Sequence, residues 1–521
     1  MNLKWGTLRH DLRPVRIIAL DQLKVPGPMP LLDLAARLDP AAAEPLPLQL
    51  ARVLAAEIMA GRMAPGEAMP GSRTLAQDLG LSRHMVMSAL WELELEGWVE
   101  SRPGSGTYVA GAPPSVFPRN WGAKPERAVI PQEPAFELSS QLRPVSTLAS
   151  SMLDLSDGFP DARLAPKDAL ARGYHRALQR HGDDLLGKGE SRGNRSLREQ
   201  LASHLRNARG LHTEAENMLI TRGMTMSLTL IAQALAAGGG DIAVEDPGDP
   251  RVWEALGSTG ARLHPVPVDG EGLVPESLEK LVSKHPLALL HLSPRCHFPT
   301  TVPLTEPRRE AVMALARRHG FAIVEEDPDA ELTWEGTPPH PMAAEDPGGQ
   351  VIHLGSLSQL LAPGLGLAYV VAPAALVDRL ARLRQRLDVQ GDRVLEWAMA
   401  DLIRDGDLER HLARSRKVLQ KRREAFRCSI LAELGADFEI QACDGGQACW
   451  VRIPSSLDAE AWAQACLRAG VKFHPGSHYD FQGRRLSGVR LGFAHLEAGE
   501  ARRTLGILGR EREALSGTRY V

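Results

Sequence analysis

A proline-rich, aperiodic stretch at residues 111–138 divides this chain into two regions whose apolar patterns cannot belong to one fold. Before it, apolar residues recur at helical spacing. Beyond about Leu153, short and nearly continuous apolar runs alternate with amphipathic stretches. The runs at 217–221, 241–244, 287–292 and 321–325 read as buried strands of a mainly parallel sheet with helices between them. After Trp397 long charged helices give way to shorter strands ending in Gly488-Val489-Arg490-Leu491-Gly492-Phe493, the pattern of a smaller α+β lobe. A length of 521 residues also exceeds one ordinary core. The expected division is an extension at 1–45, an all-α head with a hairpin wing at 46–110, a linker at 111–152, an α/β domain at 153–396, a C-terminal lobe at 397–512 and a tail at 513–521.

Composition excludes several classes. No apolar run reaches the ~18 residues of a membrane span, and Ile17-Ile18-Ala19-Leu20 is too short for a secretory core. The five cysteines, Cys296, Cys428, Cys443, Cys449 and Cys466, are odd in number and lack CxxC spacing, so neither a disulfide framework nor a zinc site is implied. The chain reads as cytoplasmic, with no membrane partner. Net charge is only -3, and residues 46–110 carry five Arg, no Lys and seven acids, so charge alone does not point to nucleic acid.

Capping residues say more about the head. Leu50, Leu54 and Ile58 form one stripe of a first helix. Ser72 is read as the cap of a second, which buries Leu75 and Leu79. Gly80 supplies the left-handed residue that stops it, and Ser82 caps a third helix burying Val86, Leu90 and Leu93. Gly97 ends that helix, and residues 98–102 and 107–109 form a hairpin around Pro103-Gly104-Ser105-Gly106. Helix, Gly-Leu-Ser, helix is the tight turn of a helix-turn-helix, in which the start of the third helix meets base edges. Arg83, between Ser82 and His84, suits bidentate pairing with guanine. Arg73, at a helix start, suits a phosphate. Arg102, Gly104, Ser105 and Gly106 form a wing tip for the neighbouring groove. The plain alternative is a three-helix bundle with solvated arginines.

This stretch closely resembles the GntR family, through Gly61-Arg62, Pro65-Gly66, Pro70-Gly71-Ser72-Arg73-Thr74-Leu75-Ala76, Gly80-Leu81-Ser82-Arg83, Glu96-Gly97-Trp98-Val99 and Ser101-Arg102-Pro103-Gly104-Ser105-Gly106-Thr107. The resemblance implies a winged helix-turn-helix that binds a double-stranded DNA operator. It also places the expected translation start at Met29, shortly before the first helix.

Residues of about 153–510 resemble the second domain of the MocR subfamily, a fold-type-I aminotransferase-like domain that depends on pyridoxal phosphate (PLP). The likeness is carried by Gly187-Lys188-Gly189-Glu190-Ser191-Arg192-Gly193, Glu245-Asp246-Pro247-Gly248, His297-Phe298-Pro299-Thr300, Glu325-Glu326-Asp327-Pro328-Asp329-Ala330-Glu331 and Gly355-Ser356-Leu357-Ser358-Gln359. It implies a site that this chain has altered. The cofactor-bonding lysine of the family pattern falls on Gln359, and a carboxamide cannot form that bond. The aspartate that holds the pyridine nitrogen falls on Glu326, the nearby tyrosine on Pro328, the stacking aromatic on Asp249 and the phosphate arginine on Gly366. The phosphate cradle reads Gly223-Met224-Thr225-Met226, so Thr225 and Ser227 alone offer hydroxyls. Six losses on one ligand imply a non-catalytic pocket without a bound cofactor, PLP entering only non-covalently. Arg490 matches the arginine that grips a substrate carboxylate, which implies a small carboxylate-bearing effector; a structural ion pair with a neighbouring acid is the alternative. Cys296 and His297 stand where the family has polar cofactor neighbours. With no third ligand in view, His297 is read as a hydrogen-bonded loop residue and no metal is expected.

The reading is a homodimeric transcriptional regulator whose large domain dimerises and senses a ligand. A PLP-dependent aminotransferase-type enzyme, a PLP-responsive regulator, and a constitutive DNA-binding protein with a mere dimerisation scaffold are the alternatives.

Overall fold

Where each helix stops decides how the head is built. In this computed structural model, which describes residues 37–42, 44–102, 104–114, 152–441 and 443–517, the chain divides into two units, Met1–Pro144 and Val145–Val521. The expectations for Met29, for most of the linker and for Pro103 lie outside the described residues. In the first unit, α1 (Leu46–Met59), α2 (Ser72–Leu79) and α3 (Arg83–Leu95) precede β1 (Val99–Arg102) and β2 (Gly106–Val109). The strands pair antiparallel, with Val99 opposite Val109 and Arg102 opposite Gly106. Gly80 ends α2 at φ +64, a left-handed conformation that costs glycine nothing. Ser82 then caps α3, its hydroxyl accepting from the Met85 N–H at 3.3 Å. Leu50, Leu54, Leu75, Val86, Leu93 and Trp98 are fully buried between these elements.

Two details differ from the sequence reading. Ser72 is not a cap: it is the first residue of α2, Gly71 caps the helix without a side-chain bond, and the Ser72 hydroxyl accepts from Arg83 Nε at 3.4 Å. Leu90 is only partly buried at the edge of the core. Ala89 takes the central place on the face of α3 that packs against α1.

In the second unit, β3 (Leu153–Asp154), α4 (Lys167–Leu186) and α5 (Arg195–Arg209) lead into β4 (Met218–Thr221), α6 (Met224–Leu235), β5 (Asp241–Asp246) and α7 (Pro250–Gly257). Then come β6 (Arg262–Asp269), β7 (Gly272–Leu273), α8 (Pro275–Val282), β8 (Leu287–Leu292), α9 (Glu306–His319) and β9 (Ala322–Glu326). β10 (Val351–Ser356) turns directly into the short α10 (Leu357–Leu360), and β11 (Ala368–Val371) precedes α11 (Ala374–Leu387), α12 (Arg393–Arg404) and α13 (Asp407–Leu434). The last part holds β12 (Glu439–Ile440), β13 (Ala448–Arg452), α14 (Ala459–Arg468), β14 (Val471–Lys472), β15 (Gly488–Gly492) and α15 (Ala498–Gly517).

The main sheet runs β4-β11-β10-β9-β8-β5-β6-β7. Its centre, from β10 to β6, is parallel, whereas β11 is antiparallel to both neighbours. Strands buried on both faces explain the unbroken apolar runs of the sequence. Leu230, Ile231, Val252 and Leu380 pack on one face, and Leu278, Val312 and Leu315 on the other. The smaller lobe is built on the antiparallel sheet β12-β13-β15. Two observations blur its expected edge at 397. That residue lies inside α12, which packs on α4 and α5, and β3 at the start of the unit pairs in parallel with β14 near its end.

Candidate functional site

Loops leaving the C-terminal ends of β4, β5, β8, β9 and β10 wall one cavity of about 180 Å³, the place where open α/β sheets bind ligands. Thr225, Asp249, Glu326, Pro328, Gln359 and Arg490 all line it. Gly366 does not: it is exposed, at φ +57, closing the turn Pro363–Leu365. Ser227 is wholly buried and spends its hydroxyl on that of Thr221 at 2.7 Å.

Gln359 sits in α10. Its backbone N–H donates to Ser356 Oγ at 3.2 Å and its carbonyl accepts from Gln447 Nε2 at 2.7 Å. Among the described residues, no lysine lines the cavity. Asp249 caps α7 by accepting from the Arg251 N–H at 2.9 Å, and Arg251 Nη2 donates back to its carboxylate at 2.7 Å. Arg251 Nη1 also reaches Asp157 at 3.1 Å. Burial raises both carboxyls. At Asp249 the Arg251 guanidinium outweighs burial and holds the acid below its usual range, while at Asp157 burial wins. Asp249, Arg251 and Asp157 thus form an ion triad on this wall of the cavity.

Arg295 donates to Asp327 at 2.9 Å and pairs with Asp329, and Arg209 donates to Asp327 at 2.7 Å. Against burial, these two cations hold Asp327 down at about 2. Glu326 lies 3.5 Å from His291 Nε2. Burial disfavours the imidazolium of His291, but Glu326 and then Glu245 prevail and raise its pKa, while burial pushes Glu245 up to about 8.

Arg490, on β15, is only 9 % exposed. Its Nη1 donates to the Pro299 carbonyl at 3.1 Å and its guanidinium stands 4.3 Å from the Phe298 ring centre. Its buried Nε has no partner among the described residues, and no carboxylate pairs with it there. His297 is a hydrogen-bonded loop residue, with Nδ1 on Thr300 Oγ1 at 2.6 Å and Nε2 donating to the Pro247 carbonyl at 3.0 Å. Burial drops its pKa to about 3 and pushes the Cys296 thiol up to about 12, so both are neutral.

The residues present do not fit PLP. Five carboxylates face three guanidiniums around the cavity, and Arg251 and Arg295 are already engaged. A phosphate dianion would meet an acidic surplus, backbone N–H groups at the start of α6 and the hydroxyls of Thr225 and Ser293. Sequence reasoning missed Asp157, Arg251, Arg295 and Phe298. The spacing Asp249-Pro250-Arg251, a capping acid two residues before a cation, was the available sign for Arg251.

On the head, Arg73, Ser82, Arg83, His84, Arg102, Gly104, Ser105 and Gly106 are all exposed. Gly104 and Gly106 adopt φ +76 and +122 at the hairpin tip. Tyr108, not singled out from sequence, fixes that tip: its ring lies 4.4 Å under the Arg102 guanidinium and its hydroxyl is 2.6 Å from Ser105 Oγ.

Comparison with known proteins bears on both units. The family of bacterial regulatory proteins named gntR matches residues 46–109, and the family aminotransferase class I and II matches residues 150–508. The probable rhizopine catabolism regulatory protein MocR of Rhizobium meliloti is 30% identical over 88% of this chain and 92% of its own length. The HTH-type transcriptional regulator TauR of Rhodobacter capsulatus is 30% identical over 86% of this chain and 92% of its own. Among solved structures, the alpha-aminoadipate aminotransferase LysN of Thermus thermophilus superposes with a TM-score of 0.65 at 26% identity, covering 71% of this chain and 94% of that one.

Proposed function

Since the chain belongs to the MocR subfamily of GntR-type regulators, and so is a DNA-binding transcriptional regulator with an aminotransferase-like domain, we propose that this domain is a non-catalytic sensor whose Arg490 holds the carboxylate of a small effector. The observation that carries the reading is the state of the three arginines. Two are locked onto acids, while Arg490 is buried with a polar nitrogen unspent. A buried guanidinium with no carboxylate partner among the described residues is costly, and a small carboxylate offers the matching fork. Gln359 removes the group on which a cofactor would be bonded, so no covalent chemistry follows from the pocket.

In the same reading Arg83, flanked by Ser82 and His84, contacts bases; Arg73 contacts a phosphate; and Arg102 with Gly104, Ser105 and Gly106 contacts the adjacent groove. A homodimer matches a two-fold operator with half-sites one helical turn or a multiple apart. The effector acts by binding one of two dispositions of the dimer better than the other. No helix among the described residues is long and apolar enough to cross a membrane.

The test is a PLP titration of wild type and Gln359→Lys, followed by absorbance and melting temperature, with a panel of small carboxylates run beside it. The expected result is no bound-cofactor band in wild type, and saturable stabilisation by at least one carboxylate that Arg490→Ala abolishes. A wild-type band trapped by borohydride on a lysine would overturn the reading.

A further inference from the structure

The opposite end of the parallel strands gathers a different set of side chains. Asp241 is the first residue of β5, a strand's length (roughly 17 Å) from the pocket that follows its other end. On β6, Arg262 pairs with Asp241, and His264 stands two residues on, hence on the same face. On the other side of β5, Leu287 opens β8 opposite Asp241, and His285 precedes it by two residues. Three chain segments thus deliver a carboxylate and two imidazoles to one point. Their ligand atoms all lie within 4.8 Å of one another. His264 Nε2 is 2.7 Å from Asp241 Oδ1, and the two imidazole rings are 4.4 Å apart at their centres.

We propose that Asp241, His264 and His285 form a binding site for one divalent transition-metal ion of the zinc class. Imidazole and carboxylate donors suit such an ion, and three protein ligands leave a fourth position for water. Both histidines are half-buried, so the ion enters from solvent while Asp241 is held at 6 % exposure. Arg262 Nε and Nη2 each donate to the Asp241 carboxylate at 2.9 Å and so fix its orientation. The ion takes the place of the proton shared between His264 and Asp241 Oδ1. The positive charge of Arg262 opposes it, but that side chain is 64 % exposed and screened by water. Bound there, the ion pins β6 and the lead into β8 to β5. Spacings of 23 and 21 residues between the ligands match no short metal motif, which is why the sequence carried no sign of the site.

The test uses the untagged full-length protein, stripped with chelator and titrated with zinc chloride by calorimetry, and with cobalt(II) by visible absorption. One ion per chain is expected, with a rise in melting temperature. Cobalt bands should appear without thiolate-to-cobalt charge transfer, which separates this site from the five cysteines. His264→Gln keeps a hydrogen bond to Asp241 and His285→Ala removes a half-buried ring. Each should weaken zinc binding by about tenfold or more. Circular dichroism and melting of the stripped variants establish that they fold. Absent stoichiometric binding, unchanged affinity in the folded histidine variants, or a thiolate band would overturn the proposal.

Discussion

Arg83 and Arg73 are both exposed arginines of one small unit, yet their surroundings separate them. Arg83 opens α3 directly after the Ser82 cap and is steadied by the Ser72 hydroxyl, whereas Arg73 lies in the first turn of α2. Arg83→Ala should therefore cost about 1–3 kcal/mol on the operator and relax one base position. Arg73→Ala should weaken every sequence alike and lower the salt slope by about one. Anisotropy titrations against operator and scrambled duplexes at several salt concentrations distinguish the two. At this scale the sequence was informative wherever a motif sets a position: six of the expected residues meet in one cavity. It was silent on Arg251 and Arg295, because their partners are chosen in space. Asp157 lies 94 residues from Arg251 and Asp327 lies 32 from Arg295. Ser72 misled for a local reason, since a glycine one residue earlier in the chain can start a helix without a side-chain bond.

Glycines and histidines at element junctions carry the next set of expectations. Gly193, from the stretch that first suggested the large domain, has φ +88, and a Cβ there would sit 2.5 Å from Ile220 Cβ on β4. Gly193→Ala combines backbone strain with a clash against a buried strand and should cost at least about 2 kcal/mol, read as a lower denaturant midpoint. Gly80→Ala meets open space at φ +64 and should cost only about 1 kcal/mol. His204 on α5 bridges Glu331 at 2.7 Å and Glu409 of α13 at 3.1 Å. Burial disfavours its charge, but the two carboxylates outweigh burial and raise its pKa. Its contribution is therefore complete below the ordinary histidine value of about 6.5 and fades as pH rises through the raised one. The stability gap between wild type and His204→Gln should be widest below about pH 6.5 and close as pH rises through the raised value. Long apolar strands and capped helices were legible as elements. Two-residue strands such as β3, β7 and β14 were not, because so short a run has no periodicity. The lobe boundary expected at 397 was hard to place because α12 runs unbroken across it.

Across the whole molecule, two units with separate cores predict two separable unfolding events. Operator DNA should raise the transition of the head, and a bound carboxylate that of the larger unit, by about 2.7 kcal/mol at a hundredfold excess over Kd. Calorimetric scans with each ligand alone check this, and a single transition moved equally by both would refute it. The pairing of β3 with β14 bears on the birth of the protein as well. The Leu153 N–H donates to the Gly470 carbonyl and the Leu155 N–H to that of Lys472, partners made about three hundred residues later. At ~5–20 residues per second, translation needs roughly 15–65 s to supply them. The head is complete throughout that interval. Each nascent chain thus passes through a period in which its head is whole while the larger unit still lacks its closing strand, and how late β14 is encoded sets the length of that period.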